Sequence, residues 1–135
     1  MNADIVLEAA KATLTGSLPF PEIVGKLMAT GVEFYHVDYA AQQFSFYSAV
    51  GGVVTAPLMF EDLPAIADDF DSAALRAAVL DSQQNDQKFR HFSQRAMQAG
   101  VQGYFAFLRG KRVVYAGRQG DQHTEWFPGA KPVNT

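Results

Sequence analysis

Residues Phe89 to Phe127 read FRHFSQRAMQAGVQGYFAFLRGKRVVYAGRQGDQHTEWF, and the punctuation of this stretch decides the fold. Phe89, Phe92, Ser93 and Ala96 recur at helical spacing. Asp86 stands where a helix cap is needed, and Gly100 supplies a left-handed residue to stop the helix. Val101 to Leu108 is then almost wholly apolar, which predicts a strand covered on both faces with Phe105 and Phe107 in the core. Arg109-Gly110-Lys111 turns the chain, and Arg112 to Ala116 reads as a second strand. Gln122 to Phe127 alternates as a third, ended by Pro128 and Gly129.

Outward from that stretch, the earlier chain reads as a degenerate copy of it. Asp4 to Leu14 is amphipathic, and Pro21 opens a second helix whose stripe is Ile23, Val24, Leu27 and Met28, stopped at Gly31. Val32 to Tyr39, Phe44 to Ser48 and Val53 to Thr55 read as strands. Phe60 to Asp71 is a connector, and Ser72 is placed to cap a helix over Ala73 to Gln84 with the stripe Leu75, Ala78 and Val79. At an offset of 69, Phe20 falls on Phe89, Met28 on Met97, Gly31-Val32 on Gly100-Val101, Tyr35 on Tyr104, Gly51 on Gly120 and Thr55 on Thr124. Helix stops and turn glycines therefore coincide. The prediction is one α+β domain over residues 1–135. It consists of two helix-helix-strand-strand-strand units, about 3–58 and 72–127, related by a pseudo-twofold axis and built on antiparallel strands.

With 135 residues, 48% of them hydrophobic and 13% aromatic, the chain is long and apolar enough to bury a core. The absence of cysteine excludes disulfides, thiol nucleophiles and thiolate metal sites. An acidic amphipathic start is unlike a signal peptide, and no apolar run reaches the roughly 20 residues of a membrane helix, so a cytoplasmic protein is expected. There is no phosphate loop, serine elbow or dinucleotide fingerprint, so no cofactor is expected. Charge is segregated. Lys88 to Arg118 holds seven basic residues and no acid, while Glu61 to Asp86 holds seven acids and only Arg76 as a base. Lys111, Arg112 and Arg118 are the candidates for a nucleic-acid contact, which the net charge of −3 disfavours. The acidic segment can equally lie against the basic one, within the fold or across a homodimer.

Gly103 to Pro128, with its glycines, tyrosines and His-x-Glu, is similar to a bacterial family numbered 1398 among domains of unknown function. Some members of that family carry the label "phage envelope protein". The segment FPEIVGKLMATGVEFYHVDY, residues 20–39, resembles the family's first helix-to-strand stretch. The resemblance covers roughly Phe20 to Pro128 and implies a fold and a bacterial cytosolic setting, but no reaction. Many relatives repeat the His-x-Glu in the first half, where Val54 and Ala56 stand in this chain.

Two residue pairs could carry chemistry. His36 and Asp38 lie two apart on a strand and so point to one face, as do His123 and Glu125. A histidine beside a carboxylate can act as a general base. A metal site needs three or four converging ligands, and none is expected from spacing alone. Each polar pair replaces an apolar pair in the other unit: Phe105 and Phe107 in one case, Val54 and Ala56 in the other. If the third strand of one unit lay beside the first strand of the other, the four groups would share a cleft with Tyr35 or Tyr104 at its rim. The alternatives are local hydrogen bonding for the pairs and ordinary core burial for the tyrosines. The functional expectation is a non-enzymatic binding or interaction module. The other readings are a small-molecule enzyme or ligand-binding protein with a histidine, carboxylate and tyrosine pocket, and a nucleic-acid binder.

Overall fold

A computed structural model describes residues 1–130. The first unit comprises α1 (Ala3–Thr15), α2 (Phe20–Ala29), β1 (Val32–Asp38), β2 (Gln43–Ser48) and β3 (Val53–Pro57). The second comprises α3 (Ser72–Gln84), α4 (Phe89–Gln98), β4 (Val101–Phe107), β5 (Arg112–Gly117) and β6 (Gln122–Trp126). Every boundary of the second unit is that of the first plus 69. The irregularities repeat as well. Positive φ occurs at Gly31 and Gly100, Gln42 and Lys111, and Gly51 and Gly120, and the strand register slips between Val32 and Phe34 and again between Val101 and Gly103. A tight turn that needs one residue at positive φ places it by length, and both units solve the turn identically.

The six strands form one antiparallel sheet in the order β3-β2-β1-β4-β5-β6. The units join where β1 pairs with β4. In that pairing Phe34 faces Phe107, His36 faces Phe105 and Asp38 faces Gly103. Positions 36 and 105 are equivalents in the two units, so the pseudo-twofold axis passes through the His36–Phe105 pair. The first strand of each unit is therefore central, and the third strands are the two edges.

All four helices lie on one side of the sheet. Residues opposite one another in an antiparallel sheet share a face. Tyr35, Val37, Phe44, Phe46, Tyr104, Ala106, Val113 and Tyr115 share one face and are buried with Val6, Leu27, Leu75 and Ala96 of the helices. Burial of one such aliphatic side chain contributes roughly 1.5–3 kcal/mol. The other face carries no helix. Val101 to Phe107 is thus covered on one side only, and Phe105 is 37% exposed. This corrects the expectation that Phe105 and Phe107 are core: an all-apolar run has no alternation from which to tell a half-covered strand from a covered one. Two caps also differ from expectation. The Asp71 side chain caps α3 by accepting from Ala74 N at 3.0 Å, so Ser72 is already helical, and Lys88 rather than Asp86 precedes α4.

Candidate functional site

The predicted site residues lie in three separate places. His36 and Asp38 point out of the open face at the centre of the sheet. The His36 ring stacks on Phe105, centroids 4.3 Å apart at 19°, above Gly103, which has no side chain to displace it. Asp38 Oδ1 accepts from Ala41 N at 2.9 Å and so fixes the β1–β2 turn. His123 and Glu125 sit on edge strand β6 and point to the helical side. Their pairings with Tyr115 and Val113 put them on the core face of the sheet. His123 Nε2 lies 2.6 Å from Glu125 Oε1, and the Arg76 guanidinium of α3 is 3.9 Å from the same oxygen. The two pairs are on opposite faces and three strand spacings apart, about 14 Å, and share no cleft. Among the described residues, no three histidines or acids are placed to hold a metal ion.

Tyr35 and Tyr104 are at no rim. They lie in the core beneath the helices with Tyr39 and Tyr115, and burial pushes all four phenols well above their ordinary pKa. The Tyr39 hydroxyl donates to Ser93 Oγ at 3.0 Å, the bond that lets a polar residue occupy the middle of α4's buried face.

The exchange of polar for apolar pairs between the units has a packing explanation. His36, Asp38, Phe105 and Phe107 all lie on the open face, where neither polar nor apolar character decides the core. Val54 and Ala56 lie under α1, which packs on β3. Their equivalents His123 and Glu125 meet α3, where Arg76 stands in place of Leu7, so the change to polar is made on both elements together.

The segregated charges answer one another inside the chain. Arg90 pairs with Asp62, Arg95 with Asp81, Arg118 with Asp68 and Lys88 with Asp86, each joining the basic stretch to the acidic one. Arg109 pairs with Glu33 at 3.5 Å. The Arg90 pairing holds the Asp62 carboxyl below its usual range, and Arg95 does the same to Asp81.

A candidate surface that the sequence reading missed is on the open face, where the strand register lines up three rows across all six strands. One row is Val53, Tyr47, Phe34, Phe107, Arg112 and Trp126; the middle row is Thr55, Ser45, His36, Phe105, Val114 and Thr124; the last is Pro57, Gln43, Asp38, Gly103, Ala116 and Gln122. The twofold axis exchanges the first and last rows. Phe34 is thus the equivalent of Gly103, Tyr47 of Ala116, Val53 of Gln122, Phe107 of Asp38, Arg112 of Gln43 and Trp126 of Pro57. Of the two end rows, the first holds Phe34, Tyr47, Phe107, Arg112 and Trp126, and the last holds no aromatic and no arginine. Along the large row, Phe34 stacks on Tyr47 at 4.7 Å and 14° and lies 5.7 Å from Phe107, while the Arg112 guanidinium sits 4.0 Å over the Trp126 ring. The signal was present in the offset comparison, but only as mismatches, and mismatches carry no meaning until the register places them in one row.

No family model and no curated protein matches this chain. No helix of the described residues is long and apolar enough to cross a membrane.

Partial burial lowers the His36 pKa from its ordinary value, and nearby Asp38 opposes the shift without cancelling it; Ser45 and Phe105 stand opposite His36 on the neighbouring strands, with Gln43, Tyr47, Gly103 and Phe107 diagonal to it on the same face. The folded state therefore binds its proton less well than the unfolded chain. Stability is complete above the unfolded pKa of about 6.5 and is lost as pH falls from there through the folded value. His36→Gln should flatten that part of the urea-midpoint profile between neutral and mildly acidic pH. An unchanged slope would place the acid sensitivity elsewhere.

Proposed function

We propose that the protein is a non-enzymatic binding module whose working surface is the aromatic end of the open sheet face. The observation that carries this reading is the broken symmetry of that face. The two units have the same elements to the residue, and one of them folds with Gly103 and Ala116 where the other has Phe34 and Tyr47. Folding of the unit does not require the large residues, so their collection at one end calls for another cause. A continuous aromatic row with a stacked arginine is a surface for binding.

The size of the face favours a small occupant over a second copy of the chain. Six strands at about 4.8 Å and five residues at about 3.4 Å give a face of roughly 24 by 17 Å, or about 400 Å² in projection. Even with side-chain relief this reaches only the low end of the ~800 Å² that each partner of a stable complex buries. A homodimer through this face belongs to the weak class. Against a nucleic-acid reading, Arg118 of its three candidates pairs with Asp68 of the acidic segment and the Arg112 guanidinium is stacked over Trp126. The resemblance to the bacterial family adds an expected cytoplasmic setting and leaves the ligand open.

A thermal-shift screen of metabolites tests the reading, since a ligand of the native state raises the melting temperature. Compounds that do so should perturb the NMR signals of Phe34, Tyr47, Phe107 and Trp126. Phe107→Asp, which installs the residue of the equivalent position, should abolish the shift while costing only about 1–2 kcal/mol of stability for a half-buried ring. Hits that instead map to His123 and Glu125 would move the site to the other side of the sheet.

A further inference from the structure

We infer that the ligand of this surface is a planar aromatic small molecule carrying a single carboxylate; the inference rests on the aromatic end of the open face being the binding surface. At that end the face sinks into a shallow depression of about 750 Å³ lined by Phe34, Phe107, Val114, Arg109, Arg112 and Glu33. Its floor is aromatic and aliphatic, which suits a flat ring. Two arginines and one glutamate leave the rim with one net positive charge, which suits a monoanion. Arg112 is held at two points, by the Trp126 ring beneath it and by its Nε, which donates to Gly110 O at 3.3 Å. Fixed in this way, its terminal nitrogens offer a fork of the geometry that a carboxylate accepts. Arg109 is mostly exposed and, among the described residues, bound only to Glu33, an exposed kind of pair that gives way at little cost. The volume falls within the ordinary range for ligand sites, but the depression is open above, so affinity is modest. For a ligand of about 13 non-hydrogen atoms the dissociation constant is on the order of 1 mM.

The chain has one tryptophan, Trp126, so its indole N–H gives a single resonance beside the proposed anion site. The test is titration of 15N-labelled protein with 1-naphthoate, with 1-naphthalenemethanol as the same ring without charge. Naphthoate should shift the indole resonance saturably, and the neutral alcohol should bind roughly tenfold more weakly, the factor carried by one charge-assisted hydrogen bond. Arg112→Gln, which copies Gln43 of the equivalent position, should bring naphthoate down to the affinity of the alcohol and leave the alcohol unchanged. Equal binding of the two compounds at this row, unaffected by Arg112→Gln, would overturn the anion while sparing the surface. Binding of both compounds elsewhere, or no shift of the resonance by naphthoate, would overturn the inference; the first of these would take the proposed surface with it.

Discussion

Gly100→Ala should cost several times what Gly31→Ala costs, although the two glycines hold nearly the same backbone angle, φ +94° and +91°. Both stop a helix in the left-handed region, where an L side chain is strained, and that term is about 1 kcal/mol at each. Their surroundings differ. A Cβ on Gly31 would find only the Met1 nitrogen, 3.9 Å away. A Cβ on Gly100 would overlap the Asp69 carbonyl oxygen and stand 2.9 Å from Phe70 Cα. These are backbone atoms of the connector between the units. They are held in place because Ala67 N donates to Met97 O at 3.0 Å and Asp71 N to Ala99 O at 2.8 Å. Overpacking against atoms that cannot swing aside adds about 1–3 kcal/mol, for a total of roughly 2–4 kcal/mol. Urea midpoints of the two variants decide the matter, and equal losses would mean that the connector does not seat on Gly100.

Leu27→Ala is expected to lose about 2–5 kcal/mol, the range for removing a fully buried leucine and leaving a cavity. Leu27 is 0% exposed, and its equivalent in the second unit, Ala96, is also 0% exposed. The units therefore fill equivalent places with very different volumes, and their cores complement each other without being copies. For the same reason Ala96→Leu should destabilise, by about 1–3 kcal/mol, because Ala96 is fully buried and the added carbons must displace packed neighbours. Thermal or urea unfolding measures both changes. A loss below about 1 kcal/mol for Leu27→Ala would show that the surrounding helices close over the gap.

The duplication was legible because glycines are fixed by backbone geometry. Gly31, Gly51, Gly100 and Gly120 all have positive φ, and no other residue type takes that conformation as cheaply. The helical stripes were legible for a similar reason: Val6, Ala9 and Ala10, and then Leu75, Ala78 and Val79, are buried at one spacing. Strand order was not legible, since nothing local records that β1 pairs with β4. Without that pairing His36 cannot be placed at the centre of the sheet or His123 at its edge. Which face the helices cover was hidden too. Phe34, Phe105 and Phe107 make the open face locally as apolar as the covered one, so the period of two marks two faces without saying which is inside. Core burial, one of the two readings of the tyrosines, is the one that holds; a rim place for Tyr35 beside His36 fails because adjacent residues on a strand point opposite ways, and Tyr35 is buried where His36 is not.

The passage of the axis through His36 and Phe105 bears on descent. About that point the joining strand is complementary to its own equivalent: position 34 meets the counterpart of 38, and position 35 the counterpart of 37. A half-length ancestor carrying one such strand would pair with itself in this register and form the same six-stranded sheet from two molecules. Gene fusion would then need to supply only a tether, the role now played by residues 58–71. Once both halves travelled in one chain, each could change alone. A face that two identical molecules must furnish alike at both ends became free to specialise at one.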